Sequence, residues 1–201
     1  MLTSHHLALS EFRAAAVVVG ASAGAVTALN ELLPPLPRNL SVPVIIVVHL
    51  PSRRPSTLPV LFAGRCALPV REPHDKQPIE PGIWFAPHDY HLLIEPDRSF
   101  AFSVGEPVAF SRPSIDVLFD SAARCYGTSL LGVVLTGSNE DGAEGACAIR
   151  ELGGVVAVQD PRVSEYKIMP EATIARAGAQ IIGTVSQLSA AVIHAAGGQR
   201  E

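Results

Sequence analysis

The sequence predicts an α/β chain, a doubly wound three-layer α/β/α sandwich built on a mostly parallel sheet with an inserted antiparallel hairpin. Three observations point there. Short runs rich in valine and isoleucine alternate with segments of helical periodicity. The runs are apolar throughout, as strands covered on both faces are, and do not alternate with polar residues. Polar, glycine-bounded breaks follow several of them, where strand-to-helix turns belong.

The elements follow in order along the chain. Ala14 to Val19 is the first strand, broken at Gly20. Ala25 to Leu33 is a short helix closed by Pro34 and Pro35. Val44 to Val48 is the second strand, Pro55 to Ala63 a helix, and Ala67 to Val70 a short third strand. From Ile79 to Pro107 the texture changes: Gly82 to Ala86, Tyr90 to Ile94 and Ser99 to Val104 are separated by turn residues, which predicts the antiparallel insertion beside the main sheet. Ile115, Leu118, Phe119 and Ala122 form a helical stripe within Pro113 to Tyr126, begun by Ser114 as a cap and ended by Gly127. Leu130 to Leu135 is a buried strand, Asp141 to Leu152 a helix, and Val155 to Val158 a strand after Gly153 and Gly154. Pro170 opens a helix running to Ala177. Gln180 to Ile182 closes the sheet before a last helix over Val185 to Ala195.

Composition narrows the function. The 201 residues are 48% hydrophobic and 17% charged, enough apolar surface for one core. The chain reads as a single domain over 1–201, with 1–13 as a tail. A net charge of −4 gives no positive field to recruit nucleic acid or an anionic membrane. The apolar stretch from Val42 to Leu50 contains Pro43 and His49 and is far shorter than the roughly 20 residues of a spanning helix. Met1 to Phe12 lacks the pattern of a secretion signal, so a cytoplasmic location is expected. Cys66, Cys125 and Cys147 form no CxxC pair and read as free buried thiols. No metal or cofactor is expected.

Chemistry concentrates in three turns. Gly20-Ala21-Ser22-Ala23-Gly24 fits G-x-S-x-G between a strand and a helix, a turn that lifts a serine hydroxyl beside free helix N–H groups. Such a turn also suits a phosphate or a dinucleotide. His49 directly follows the second strand and so emerges on the same sheet edge as Ser22, where a dinucleotide site would place an acid. Asp141 lies in the loop after Leu130 to Leu135, where an acidic residue at a helix start is commonly a cap. If the three strands are neighbours, Ser22, His49 and Asp141 can meet as nucleophile, base and orienting carboxylate. The order Ser, His, Asp differs from that of α/β-hydrolases.

These residues resemble the catalytic domain of the chemotaxis receptor methylesterases (CheB). The resemblance runs from about Val17 to Val185. It rests on Gly20-Ala-Ser-Ala-Gly24, His49-Leu-Pro51, Leu68-Pro-Val-Arg-Glu72 and Pro81-Gly-Ile-Trp-Phe-Ala-Pro-His88. It continues through Arg112-Pro-Ser-Ile-Asp-Val-Leu-Phe119, Gly132-Val-Val-Leu-Thr-Gly137, Asp141-Gly142-Ala143 and Met169-Pro170. It implies a serine hydrolase that removes methyl groups from γ-glutamyl methyl esters on chemoreceptor cytoplasmic helices and also deamidates glutamines, with Ser22 as nucleophile, His49 as general base and Asp141 orienting it. The backbone N–H groups of Ala23 and Ser138 are candidates for the oxyanion hole, and Arg112 and Met169 for the substrate cleft. Asp116 is a further cleft candidate, or a helix cap. The expected partner is a methylated chemoreceptor cytoplasmic domain or a similar signalling protein.

The sequence also departs from the family pattern. Ala23 stands where threonine is usual, and Ser138-Asn139-Glu140 where Met-Gly-Asn is. About a dozen residues precede the first strand, so no attached receiver domain is expected and a separate regulator is the alternative. Altered loops also suit a non-catalytic binding module that keeps the fold. A dinucleotide oxidoreductase lacks the full glycine fingerprint. His88 and His91 read as polar hairpin decoration, and Ser52-Arg53-Arg54 as a solvated turn.

Overall fold

The computed structural model describes residues 11–49 and 57–197. Seven strands form one sheet in the order β3-β4-β2-β1-β7-β8-β9, every neighbouring pair parallel. They are β1 (Ala16–Ala21), β2 (Pro43–Val48), β3 (Val70–Arg71), β4 (Gly82–Phe85), β7 (Leu130–Val134), β8 (Val155–Gln159) and β9 (Ile181–Gly183). A separate antiparallel pair, β5 (His91–Ile94) and β6 (Phe100–Ser103), lies beside it.

Two cores sandwich the sheet because its strands bury both faces. Val17, Val19, Val44, Ile46, Val133 and Leu135 point to one side. There they pack with α1 (Ala25–Leu32), α2 (Leu58–Ala63) and α6 (Val185–Ala195), through Leu29, Phe62 and Leu188. Ala16, Val18, Ile45, Val47, Val134 and Val156 point to the other. That side is covered by α3 (Ile115–Tyr126), α4 (Ala143–Glu151), α5 (Ile168–Ala177) and the β5–β6 pair, through Phe119, Ile149, Met169 and Phe100.

Several boundaries differ from the sequence expectation for physical reasons. β1 runs through Gly20 to Ala21, because the Gly20 carbonyl accepts from Leu135 N (2.9 Å) and the Ala21 carbonyl from His49 N (3.1 Å). Gly82–Phe85 belongs to the parallel sheet, between β3 and β2, and not to the antiparallel insertion; all four residues are buried, as an interior strand requires. The third strand is displaced to Val70–Arg71. α5 begins at Ile168, so Pro170 sits inside its first turn, where a missing N–H still costs nothing. Pro55 and Ser52 to Arg54 lie outside the described residues. The three cysteines are free, and each is only partly buried.

Candidate active site

The site sits where the strand order changes direction. β1 is flanked by β2 on one side and β7 on the other, so the turns leaving these three strands converge on a single crevice, the place where open α/β sheets bind ligands. Ser22 leaves β1, His49 leaves β2 and Asp141 follows β7. The neighbour relation that a Ser-His-Asp meeting requires is therefore present.

Ser22 is fixed by its backbone: its N–H donates to the Thr136 carbonyl (2.9 Å), and its carbonyl accepts from Ala25 N (3.0 Å) in the first turn of α1. Gly24 makes the turn at φ 79°, and a Cβ there would come within 3.0 Å of Thr136 and Glu165. The Thr136 hydroxyl donates to the Ala23 carbonyl (2.9 Å) and accepts from Tyr166 N (2.9 Å), tying the serine turn to the 165–166 segment. Ser22 and His49 line one cavity of about 210 Å³ together with Gly24, Ala25, Val26, Thr27, Val48 and Glu165. A larger depression of about 570 Å³, lined by Pro34 to Arg38, Ala67, Ser186 and Ser189, offers no base to activate its serines and is not the candidate site.

Asp141 is fully buried and meets His49 Nε2 at 2.7 Å through Oδ2. It also accepts from the Ser114 hydroxyl (2.8 Å), Ile115 N (2.7 Å) and Asp116 N (3.1 Å). Burial works to raise its pKa, but the bonds from His49, Ile115 and Asp116 outweigh it and hold the carboxyl below its ordinary value. The free N–H groups and positive end of α3 thus stabilise a buried anion. α3 can come this close because Gly20 has no side chain: a Cβ there would lie 2.4 Å from Ile115 Cγ2.

An ionised Asp141 fixes the ring's tautomer. Nε2 carries the proton and donates to the carboxylate, which leaves the Nδ1 lone pair facing the loop, where Asn139 Nδ2 donates to it at 3.5 Å. A base oriented by a carboxylate, sharing a cavity with a serine at a helix start, can take a hydroxyl proton. No group of three or more histidine, cysteine or acidic side chains suited to a metal occurs among the described residues.

Other sequence candidates take varied places. Ala23 lies in the serine turn, and Ser138 is exposed in the loop after β7. Arg112 does not line the cavity; its Nη1 donates to the carbonyls of Val104 and Gly105 (both 3.0 Å) and clamps that turn. Met169 is fully buried beneath the loop, against Gly137, to whose carbonyl its N–H donates (3.1 Å). Asp116 is a helix cap and not a cleft residue: its Oδ1 accepts from Gly142 N (2.9 Å) and Gly145 N (2.7 Å) at the start of α4.

Three supports escaped the sequence reading. His91 is buried, its Nδ1 accepting from Ser114 N (3.2 Å) while Nε2 donates to the Glu106 carbonyl (3.0 Å), so it braces the residue that in turn holds Asp141. Gln159 Oε1 accepts from Thr136 N (2.8 Å). Asn139 reaches the imidazole itself. An asparagine or a glutamine near a strand end is too common in sequence to have marked such a role.

Comparison with known proteins agrees with this architecture. Residues 17–192 match the family described as CheB methylesterase. A Leptospira interrogans protein, provisionally named a protein-glutamate methylesterase/protein-glutamine glutaminase, is 44% identical over 160 residues, 79% of this chain and 83% of its own. A Trichodesmium erythraeum protein of the same name is 39% identical over 166 residues, 81% of this chain but 47% of that longer protein. The crystal structure of the Thermotoga maritima CheB methylesterase catalytic domain superposes with a TM-score of 0.85 at 28% identity, covering 90% of this chain and 97% of that one. With the parallel sheet, the switch-point crevice and most of its length accounted for, the chain belongs to the CheB methylesterase family.

Proposed function

We propose that the chain is a serine hydrolase that cleaves γ-glutamyl methyl esters, and glutamine side-chain amides, on chemoreceptor cytoplasmic helices, with Ser22 as nucleophile, His49 as base and Asp141 as its orienting carboxylate. The observation that carries the reading is the 2.7 Å contact between Asp141 and His49 Nε2, which turns the Nδ1 lone pair away from the carboxylate on a ring that shares a cavity with Ser22. Relatives of the chain carry both activities in their names.

His49 Nδ1 takes the Ser22 proton as the oxygen attacks the side-chain carbonyl. The resulting oxyanion lies near the start of α1, with the N–H groups of Ala23 and Ser138 as candidate donors. Collapse breaks the bond to the leaving group, which takes the proton from Nδ1 and departs as methanol or ammonia. Water then hydrolyses the acyl-enzyme by the reverse proton path, giving glutamate. The nitrogens are used in the opposite sense to the serine-protease template, in which Nδ1 faces the carboxylate. Binding at a receptor's cytoplasmic surface places the enzyme in the cytoplasm; among the described residues no helix is long and apolar enough to cross a membrane.

Methanol release from methylated receptor cytoplasmic fragments tests the proposal. Wild type releases methanol and Ser22→Ala falls by on the order of 10³-fold or more. Equal silence of both folded proteins across several receptors would favour a binding module.

A further inference from the structure

We infer that exposed apolar side chains around the Ser22–His49 cavity form the docking surface for the substrate helix, and that they select a reacting side chain flanked one helical turn away by apolar and not by acidic residues. The inference rests on the hydrolase reading of Ser22 and His49. The side chains are Val26 of α1 and Val163, Tyr166 and Ile168 of the segment after β8. Val26 lines the cavity yet is 44% exposed, and the other three are 58%, 44% and 51% exposed.

Two separate chain segments bring these residues to one place. Val26 lies in the first turn of α1, just after the Gly24 turn that carries Ser22. Val163, Tyr166 and Ile168 lie within three residues of Glu165, which lines the same cavity. The segment is tied to the serine turn by the Thr136 hydroxyl, shared between the Ala23 carbonyl and Tyr166 N, and by Gly137 N, which donates to the Tyr166 carbonyl at 3.1 Å. Glu165 itself reaches over the turn, so that a Cβ on Gly24 would lie 3.0 Å from its Oε2. Apolar residues exposed singly are ordinary on a protein surface, whereas a group of them beside a cavity marks an interaction site.

Size and charge say what docks there. The cavity holds about 210 Å³, whereas one turn of an α-helix with its side chains, 5.4 Å long and about 10–12 Å across, fills roughly 400–600 Å³. A helix therefore stays outside, sends one side chain in and lies across the rim. Residues three and four positions from the reacting one share its face of the helix, so they are the ones that rest on the rim. The patch is continuous with the cavity, and the molecule that fills the cavity is the one that must cross the patch. The segment's cations are matched by its own acids, Arg162 with Asp160 at 2.6 Å and Lys167 with Glu171 at 3.5 Å, while Glu165 has no ion-pair partner among the described residues. An acidic residue set on this rim loses hydration and meets the Glu165 charge; an apolar one buries surface.

The test measures methanol release from receptor cytoplasmic fragments of matched helicity, each with one methyl glutamate and with leucine, serine or aspartate at the positions three and four residues away. Wild type is expected to show kcat/KM about 10-fold higher with leucine than with serine, and lowest with aspartate. Tyr166→Ser and Ile168→Ser are each expected to lower kcat/KM on the leucine fragment by about 3- to 10-fold, chiefly through KM, and to narrow the leucine-to-serine ratio. The comparison of fragments on wild type needs no variant, and thermal midpoints establish that each variant is folded. A wild type active on all three fragments without preference overturns the inference alone, as does a preference that both variants keep in full. Variants that change the sedimentation of the free protein and leave the preference intact would assign the patch to a second copy of the chain and overturn it as well. A wild type silent on every fragment overturns the hydrolase reading and this inference with it.

Discussion

Asp116 and Asp141 cap each other's helices. Asp141, two residues before α4, accepts from the first N–H groups of α3, while Asp116, in the first turn of α3, accepts from Gly142 N and Gly145 N at the start of α4. The exchange locks the two helices at the point where Asp141 must hold His49. It also brings two carboxyls together, and they titrate in opposite directions: burial and the neighbouring Asp141 charge push Asp116 up to about 6, while Asp141 is held low.

Asp116→Asn therefore separates the two effects by pH. A folded pKa above the unfolded value means that the native state holds its proton more tightly, so the Asp116 contribution to stability falls as pH rises from about 4 to about 6 and stays low above that. Asp141 has the reverse sign: its contribution is present above the ordinary carboxyl range and is lost only as pH falls through its depressed value. Asparagine keeps the oxygen that accepts from Gly142 and Gly145 and removes the titration. Thermal or urea unfolding at about pH 7.5 should show the variant more stable than wild type by about 1–2 kcal/mol, once solvent screening of the partly exposed carboxyl is allowed for, and the gain should vanish near about pH 4. A gain independent of pH would refute the assignment.

Asp141→Asn tests the tautomer. An asparagine that points its N–H₂ at the ring turns Nε2 into an acceptor and moves the ring proton to Nδ1, which then has no lone pair for the Ser22 proton. The expected result is a fall in kcat of about 10³- to 10⁴-fold with KM within about threefold, read from methanol release. A loss confined to KM would mean that Asp141 shapes binding and does not orient the base.

The three turns of the candidate site were legible because each interrupts an apolar run with small or polar residues, as in Gly20 to Gly24 and Thr136 to Gly142. What surrounds them was not. His91 meets Ser114 across 23 positions and Ser114 meets Asp141 across 27, distances over which no local pattern survives. Gly82–Phe85 read as part of the hairpin because composition does not say which sheet a strand joins; only its pairing to β2 and β3 does. The ring nitrogen that faces Asp141 depends on the approach of α3, which the sequence hints at only through Gly20.

Gly20→Ala tests that approach. The added Cβ would lie 2.4 Å from Ile115 Cγ2, so α3 must move away from β1 or the variant must carry the strain. Overpacking of this kind costs about 1–3 kcal/mol. Because the displaced helix carries the donors to Asp141, activity should fall by more than the loss of folded protein explains. Adding Ile115→Ala removes the clashing atom, and the double variant should be more stable than the sum of the two single effects by more than about 1 kcal/mol in chemical unfolding. Additive effects would place the strain elsewhere.

Glu165→Gln addresses product release. Glu165 shares the cavity with Ser22 and His49, and under the proposed reaction a neutral ester or amide enters while a carboxylate remains. The Glu165 charge repels that product and leaves the neutral substrate nearly unaffected. An exposed pair a few ångströms apart is worth on the order of 0.5–1 kcal/mol in water. The glutamine variant should therefore bind the glutamate-bearing peptide about two- to fivefold more tightly, seen as stronger product inhibition, with KM for the ester changed by less than about twofold. Raising salt should shrink the difference between the two proteins, because screening weakens the repulsion that only wild type has. Product inhibition that is the same in both proteins at low salt would place the carboxylate away from Glu165 and require a different orientation of the substrate in the crevice.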